Sequence, residues 1–185
     1  SYLKEDFVAK HRFEHNMLIN VSVGFSSAGG EFASNIPVSG YTEMDTKGTS
    51  FKLIVLYRFT RFFGAEISNT EDFYIVKDTD RSLSWSYSDL EAGPYVSIPL
   101  SKKVRFEFAP GIGIAGTTLA NEEDFLLNSS GFGWHLGGGF AFDVSKRWSA
   151  VIDLDYKSSS LKYKEGGKGN ANITDILFGL SYKFG

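Results

Sequence analysis

The chain has no cysteine, only 4 prolines in 185 residues and only 3 histidines. Without cysteine, disulfide staples, thiol catalysis and thiolate metal sites are all excluded, so stability must come from packing and hydrogen bonds. No stretch approaches the roughly 20 consecutive apolar residues of a membrane-spanning helix, which excludes a helical membrane protein. A membrane is not thereby excluded, because a barrel strand crosses in about 9–11 residues and needs only alternate ones to be apolar. The net charge of -3 is small, and Lys and Arg are scattered, so the electrostatic footprint of a nucleic-acid binder is missing. Ser1 to Arg12 is mostly charged and polar, unlike a signal peptide, and the expectation is a mature, exported form. The length suits one domain.

What the chain does have is 16% aromatic residues and 20 glycines, a composition that favours strands and tight turns. The decisive pattern has period two. From Met17 to Phe25 the residues Met17, Ile19, Val21, Val23 and Phe25 share one face, and Leu18, Asn20, Ser22 and Gly24 share the other. Similar splits recur in Phe51 to Phe59, Phe63 to Ser68, Ser88 to Ile98, Val104 to Ala115, Phe132 to Val144, Trp148 to Tyr156 and Ile173 to Phe184. That makes about eight strands. The breaks at Thr60 to Arg61, Ser101 to Lys103 and Ser145 to Lys146 are short, whereas Ser26 to Thr49, Asn69 to Ser84, Thr117 to Ser130 and Ser158 to Asn170 read as long polar loops.

The apolar stripe carries large residues. The opposite stripe mixes Gly, Ala and Ser with Lys52, Arg58, Glu66, Asp89, Glu91, Arg105, Glu107, Asp143, Asp153, Asp155, Asp175 and Lys183. A soluble barrel places its apolar face inward, so this polarity predicts an all-β, closed, up-and-down antiparallel transmembrane β-barrel with short turns at one end and long external loops at the other. Its narrow interior is expected to be filled rather than open, with Arg58 and Arg105 lying against Glu66, Glu107 and Glu91. Trp85, Trp148, Tyr57, Phe59, Phe63, Tyr182 and Phe184 sit near strand ends, as in an aromatic girdle at the membrane boundary. Pro94 and Pro110 each remove a ladder donor, and local bulges are expected there.

These features resemble the small outer-membrane barrels typified by the outer-membrane protein A transmembrane domain and the outer-membrane protein X group. The resemblance covers roughly Phe13 to Phe184 and is most specific at Gly179-Leu180-Ser181-Tyr182-Lys183-Phe184, which looks like the C-terminal signal read by the barrel-assembly machinery. Family members usually stop at the aromatic residue; here Gly185 follows. The resemblance implies a bacterial outer-membrane location, contact with outer-membrane lipid and lipopolysaccharide, and a monomer. Family members include structural anchors, adhesins, resistance factors and lipid-modifying enzymes, so no single role is selected.

Residues 13–185 are therefore read as the barrel and residues 1–12 as a periplasmic tail, with Leu3, Phe7 and Val8 at near-helical spacing leaving a short amphipathic helix as the alternative. Catalysis needs a positioned base, and only His11, His15 and His135 could serve. His135 falls on the lumen stripe beside acids; no Ser and acid partners facing the outer leaflet are visible, so no catalytic residue is assigned. Asp78-Thr79-Asp80 and Glu122-Glu123-Asp124 lack the ligand spacing of a calcium loop, and no metal or cofactor is expected. The reading is a non-enzymatic surface or structural protein acting through its long loops on a host or matrix ligand; the alternative is a lipid A-modifying barrel of the deacylase or palmitoyltransferase type. The loop from Ser26 to Thr49 contains Phe32, Ile36, Val38 and Tyr41, apolar groups that make it the leading contact surface.

Overall fold

Alternation of side chains across a strand forces each of these segments to show one face to one environment and the other face to another. A computed structural model of the chain describes residues 17–29, 46–77, 82–120, 125–164 and 168–184. They form eight strands in chain order: β1 (Met17–Gly29), β2 (Lys47–Arg58), β3 (Phe63–Lys77), β4 (Ser82–Pro99), β5 (Val104–Ala120), β6 (Phe125–Asp143), β7 (Trp148–Tyr163) and β8 (Lys168–Phe184). Each pairs antiparallel with its sequence neighbours, and β1 pairs with β8 from Met17↔Phe184 to Gly29↔Asn172, so the sheet closes. Closure leaves no strand edge unsatisfied, as a bilayer requires.

The three tight turns share one construction. In Phe59 to Phe63, Leu100 to Val104 and Val144 to Trp148 the first residue's N–H donates to the last residue's carbonyl, at 2.9, 2.9 and 3.0 Å. The second residue is Thr60, Ser101 or Ser145, and its hydroxyl oxygen accepts from the two N–H groups that close the turn. This local side-chain capping is why Ser and Thr stand there.

At the turn end, the strand boundaries lie within one residue of the alternation pattern. At the other end the strands run well past it. Most of Asn69 to Ser84, Thr117 to Ser130 and Ser158 to Asn170, read from sequence as loops, is strand. The cause is a change of polarity along the strands, although on β3 Phe73 and Ile75 return to the outer face. The outward apolar stripe ends at Phe25, Phe51, Ile67, Leu90, Ile114, Phe132, Tyr156 and Ile176, and the next outward residues are Ser27, Thr49, Asn69, Ser88, Gly116, Ser130, Ser158 and Thr174. Beyond that ring the inward face turns apolar: Tyr74, Trp85, Tyr87, Leu119, Leu161 and Ile173 form a buried cluster inside the barrel. Trp85, expected in the girdle, is 1% exposed within this cluster. Its parity on β4 points it inward, and a strand end outside the lipid has no girdle to join.

The rest of the girdle is in place at the turn end. Tyr57, Phe59, Phe63, Trp148 and Phe184 are exposed. Tyr182 bridges two of them, its ring centre 4.8 Å from both Trp148 and Phe184 in edge-on contacts.

Pro94 and Pro110 do not make bulges. They fall opposite one another in the β4–β5 pair, where pairing runs to Ala92↔Ile112, lapses and resumes at Val96↔Phe108 in unchanged register. Because the two residues lacking N–H groups share one place in the ladder, a symmetric interruption accommodates both without an extra residue. The register shift that does occur among the described residues lies between Leu119 and Ala120, at the far end of β5.

Candidate functional site

The lumen is built in layers. At the turn end, Arg105 is anchored on three sides: Nε donates to Glu107 at 2.7 Å, Nη1 to Asp143 at 2.5 Å and Nη2 to the Ser149 hydroxyl at 3.2 Å. Lys183 and Ser149 also donate to Asp143. Above lies an apolar plug of Leu18, Leu56 and Tyr95, beside a cavity of about 40 Å³.

The middle layer pairs Lys52 with Asp155 and places His135 between two carboxylates. The His135 Nδ1 is hydrogen-bonded to Glu91, and its Nε2 lies 3.7 Å from Glu66. Gly111, directly across the ladder from His135, leaves room for the ring; a side chain there would collide with it. A lysine dominates the next layer. The Lys157 ammonium lies 2.5 Å from Asp72, 2.6 Å from Asp175 and 3.7 Å from Asp89, and is 5.3 Å from the centre of the Tyr87 ring. One fully buried cation thus holds three carboxylates together, and a buried charge is tolerated only with such partners.

The inward charges expected from sequence are on the lumen side, but their pairing differs. Arg105 meets Glu107 as expected and also Asp143, while Glu66 and Glu91 flank His135 rather than an arginine. Among the described residues Arg58 touches no carboxylate. Its guanidinium lies 5.9 Å from the centre of the Tyr95 ring, because Glu66 sits one pleat further into the barrel, level with Leu56 rather than Arg58. Lys157 and Asp72 do not stand out in the alternation, since both lie where the outward apolar stripe has given way to polar residues. The signal was present: Asp153, Asp155, Lys157, Ser159 and Leu161 continue the inward parity of β7 without a break.

His135 has no Ser or Thr hydroxyl partner among the described residues, and it is 2% exposed. Among the described residues no group of three or more His, Asp and Glu side chains is arranged to hold a metal ion. His11, His15, the acidic runs at residues 78–80 and 122–124, the segment at residues 1–12, Gly185 and the loop residues Phe32, Ile36, Val38 and Tyr41 lie outside the described residues.

The outer rim is the other built surface. Past the apolar band its side chains knit along the sheet: Asn69 donates to the Asp89 carbonyl at 2.8 Å, Ser88 to Glu71 at 2.8 Å, Ser158 to Asn172 at 2.9 Å and Ser160 to Asn170 at 3.1 Å. On β7 and β8 the rim carries exposed Lys162, Lys164 and Lys168, and Lys162 faces Lys168 directly across the ladder.

A family model described as outer membrane protein beta-barrel domain matches residues 8–184. The chain belongs to that family. Membership locates it among bacterial outer-membrane barrels, which accounts for the apolar exterior. Solved structures similar to it include Neisserial surface protein A, with a TM-score of 0.69 and 12% identity over 91% of this chain and 97% of that one. The attachment invasion locus protein Ail of Yersinia pestis superposes with a TM-score of 0.58 and 18% identity, over 93% of this chain and 100% of that one. The N-terminal β-barrel domain of Pseudomonas aeruginosa OprF gives 0.51 and 15%, over 92% and 98%. At such identities the likeness is one of fold. No curated protein sequence matches the chain.

Proposed function

We propose that this outer-membrane barrel is a non-enzymatic surface-interaction protein, which holds a stiff sheet rim and its loops clear of the membrane to engage a polyanionic host or matrix ligand. The observation that carries the reading is the extension of the sheet past the apolar band, with an apolar cluster inside and an exterior that is mostly hydroxyl, amide and charged but exposes Phe73 and Ile75 on β3. A rigid scaffold presenting loops is where binding groups usually sit. Lys162 opposite Lys168, with Lys164 nearby, supports the ligand class, because like charges directly opposed in a ladder destabilise it and an anion relieves them. The similar Ail protein was solved in complex with the heparin analogue sucrose octasulfate. His135, enclosed between Glu91 and Glu66, supports a place in the interior network rather than a role as a base in a lipid A-modifying enzyme.

In this reading the barrel-assembly machinery recognises Gly179 to Phe184, and the closed sheet sits in lipopolysaccharide-containing lipid as a monomer. The test is a heparin column loaded with folded protein. Lys162→Glu with Lys168→Glu should elute at clearly lower salt than the parent, while the unheated protein still runs as a compact band. Unchanged elution would refute the polyanion reading. Replacing residues 30–45 by a short Gly-Ser turn should preserve assembly and lower attachment to host cells or matrix; if attachment persists in both variants, this end of the barrel is not the functional surface.

A further inference from the structure

The opposite end of the barrel has its own charge pattern. Every tight turn carries cations and no acid: Arg61 in the first, Lys102 and Lys103 in the second, Lys146 and Arg147 in the third. Inside this ring the lumen opens into a pocket of about 230 Å³ lined by Arg58, Arg61, Ser97, Arg105, Asp143 and Lys183. Its shape is held by the turns themselves, because the N–H groups of Ser97, Asp143 and Lys183 donate to the carbonyls of Phe62, Lys103 and Arg147.

Among the described residues the charges on this lining do not balance. Arg105 is engaged with Glu107 and Asp143, and Lys183 with Asp143, so two cations meet two carboxylates. Three donors converge on a single Asp143 oxygen, which neutralises the one carboxylate on the wall. Arg58 and Arg61 remain. Arg58 is only 8% exposed, yet its Nε and Nη2 are buried without a hydrogen-bond partner among the described residues. Arg61 is exposed and lies over the Phe62 ring, 4.3 Å from its centre. A buried guanidinium with unmade hydrogen bonds is costly unless a ligand completes it, and its planar fork matches an oxyanion in two-point contact.

We infer that this mouth is a binding site for a dianionic phosphate group, gripped by Arg58 and Arg61 with the Ser97 hydroxyl as a neutral donor. Two uncommitted positive charges match a phosphate or phosphate monoester better than a single carboxylate. The same group could arrive on a soluble molecule or on a lipid headgroup, so both sources are probed.

The experiment uses folded, full-length barrel. Inorganic phosphate is titrated in zwitterionic detergent by calorimetry, and short-chain phosphatidic acid is titrated against phosphatidylcholine in the same micelles. One saturating site per barrel is expected for at least one phosphate probe: saturation by inorganic phosphate identifies a soluble source, and saturation by phosphatidic acid alone identifies a headgroup. Arg58→Gln should weaken binding roughly ten- to a hundredfold, the worth of a charge-assisted hydrogen bond. Because Arg58 is buried, Arg61→Gln provides a second variant at an exposed turn position, and it should weaken binding about tenfold. Arg147→Gln, on a turn but outside the pocket, should bind as the parent does. The inference is overturned if neither probe saturates, if Arg61→Gln binds like the parent, or if Arg147→Gln loses as much affinity as Arg61→Gln, since diffuse surface charge would then explain the data.

Discussion

The membrane-crossing half of this barrel and the rim above it are made from the same strands but with opposite polarity. In the lower half, Val21, Leu53, Ile67, Ile112, Leu154 and Phe178 face out, while Lys52, Glu66, Glu91, His135 and Asp155 fill the inside. In the rim, Ser86, Ser88, Ser158, Ser160 and Asn170 lie outside, joined on β3 by exposed Phe73 and Ile75, and Tyr74, Trp85, Tyr87, Leu119, Leu161 and Ile173 lie inside. The solvent outside each half accounts for the reversal. Lipid accepts only apolar groups on the outer face and leaves the polar ones to satisfy each other within. Water reverses both demands, and the hydrophobic effect can act on the rim's interior as in a soluble barrel. The two halves meet at the Lys157 layer, directly beneath the apolar cluster.

This contrast can be broken most severely at the junction. Lys157→Met should leave Asp72, Asp89 and Asp175 buried without their shared cation, at a cost of about 3–5 kcal/mol; the midpoint of urea unfolding, followed by loss of the compact unheated gel band, reports it. A change smaller than that of an exposed control would show that the acids do not depend on the lysine. In the rim, Leu161→Ala should cost about 2–4 kcal/mol through the cavity it opens. If the rim were loosely ordered rather than packed, the midpoint would hardly move.

A matched pair of outward substitutions sharpens the comparison on a single strand. Ile152→Arg, inside the apolar band of β7, should destabilise by about 2–3 kcal/mol, whereas Ser160→Arg on the same face of the rim should change stability by no more than about 0.5 kcal/mol. Equal effects would mean that the lipid boundary does not fall between Tyr156 and Ser158. Ser158→Ala, which removes the 2.9 Å hydrogen bond to Asn172, should fall between the two, at about 0.5–1 kcal/mol by the same unfolding measurement.

How far the sequence reached can be traced on β7. Trp148 to Tyr156 was legible because lipid-facing residues must be large and apolar, which makes the period conspicuous. From Lys157 onward the stripe becomes Ser158, Ser160 and Lys162 against Ser159 and Leu161, and a strand with a polar outer face looks like a loop when the search is for an apolar one. Trp85 shows the same effect. An aromatic residue near a strand end suits both a girdle and a packed rim, and only its inward parity on an extended β4 decides between them. Each proline is a ladder problem already in the sequence, but the solution is not a bulge and depends on pairing across strands: Pro94 and Pro110 become neighbours only once β4 and β5 adopt their register.

By itself the sequence determined the number of strands, their closure and the polarity of the membrane zone, since each follows from side-chain parity along one strand and from what lipid excludes. It also placed the charges of the membrane zone on the lumen side, because they share one parity. The partner of each charge was decided by tertiary structure. Strand stagger placed Glu66 beside His135 instead of Arg58, gathered Asp72, Asp89 and Asp175 from three strands onto Lys157, and left Arg58 uncompensated at the mouth. Parity is a property of one strand, whereas pairing inside a closed barrel depends on the relative heights of eight, and that information exists only in the folded sheet.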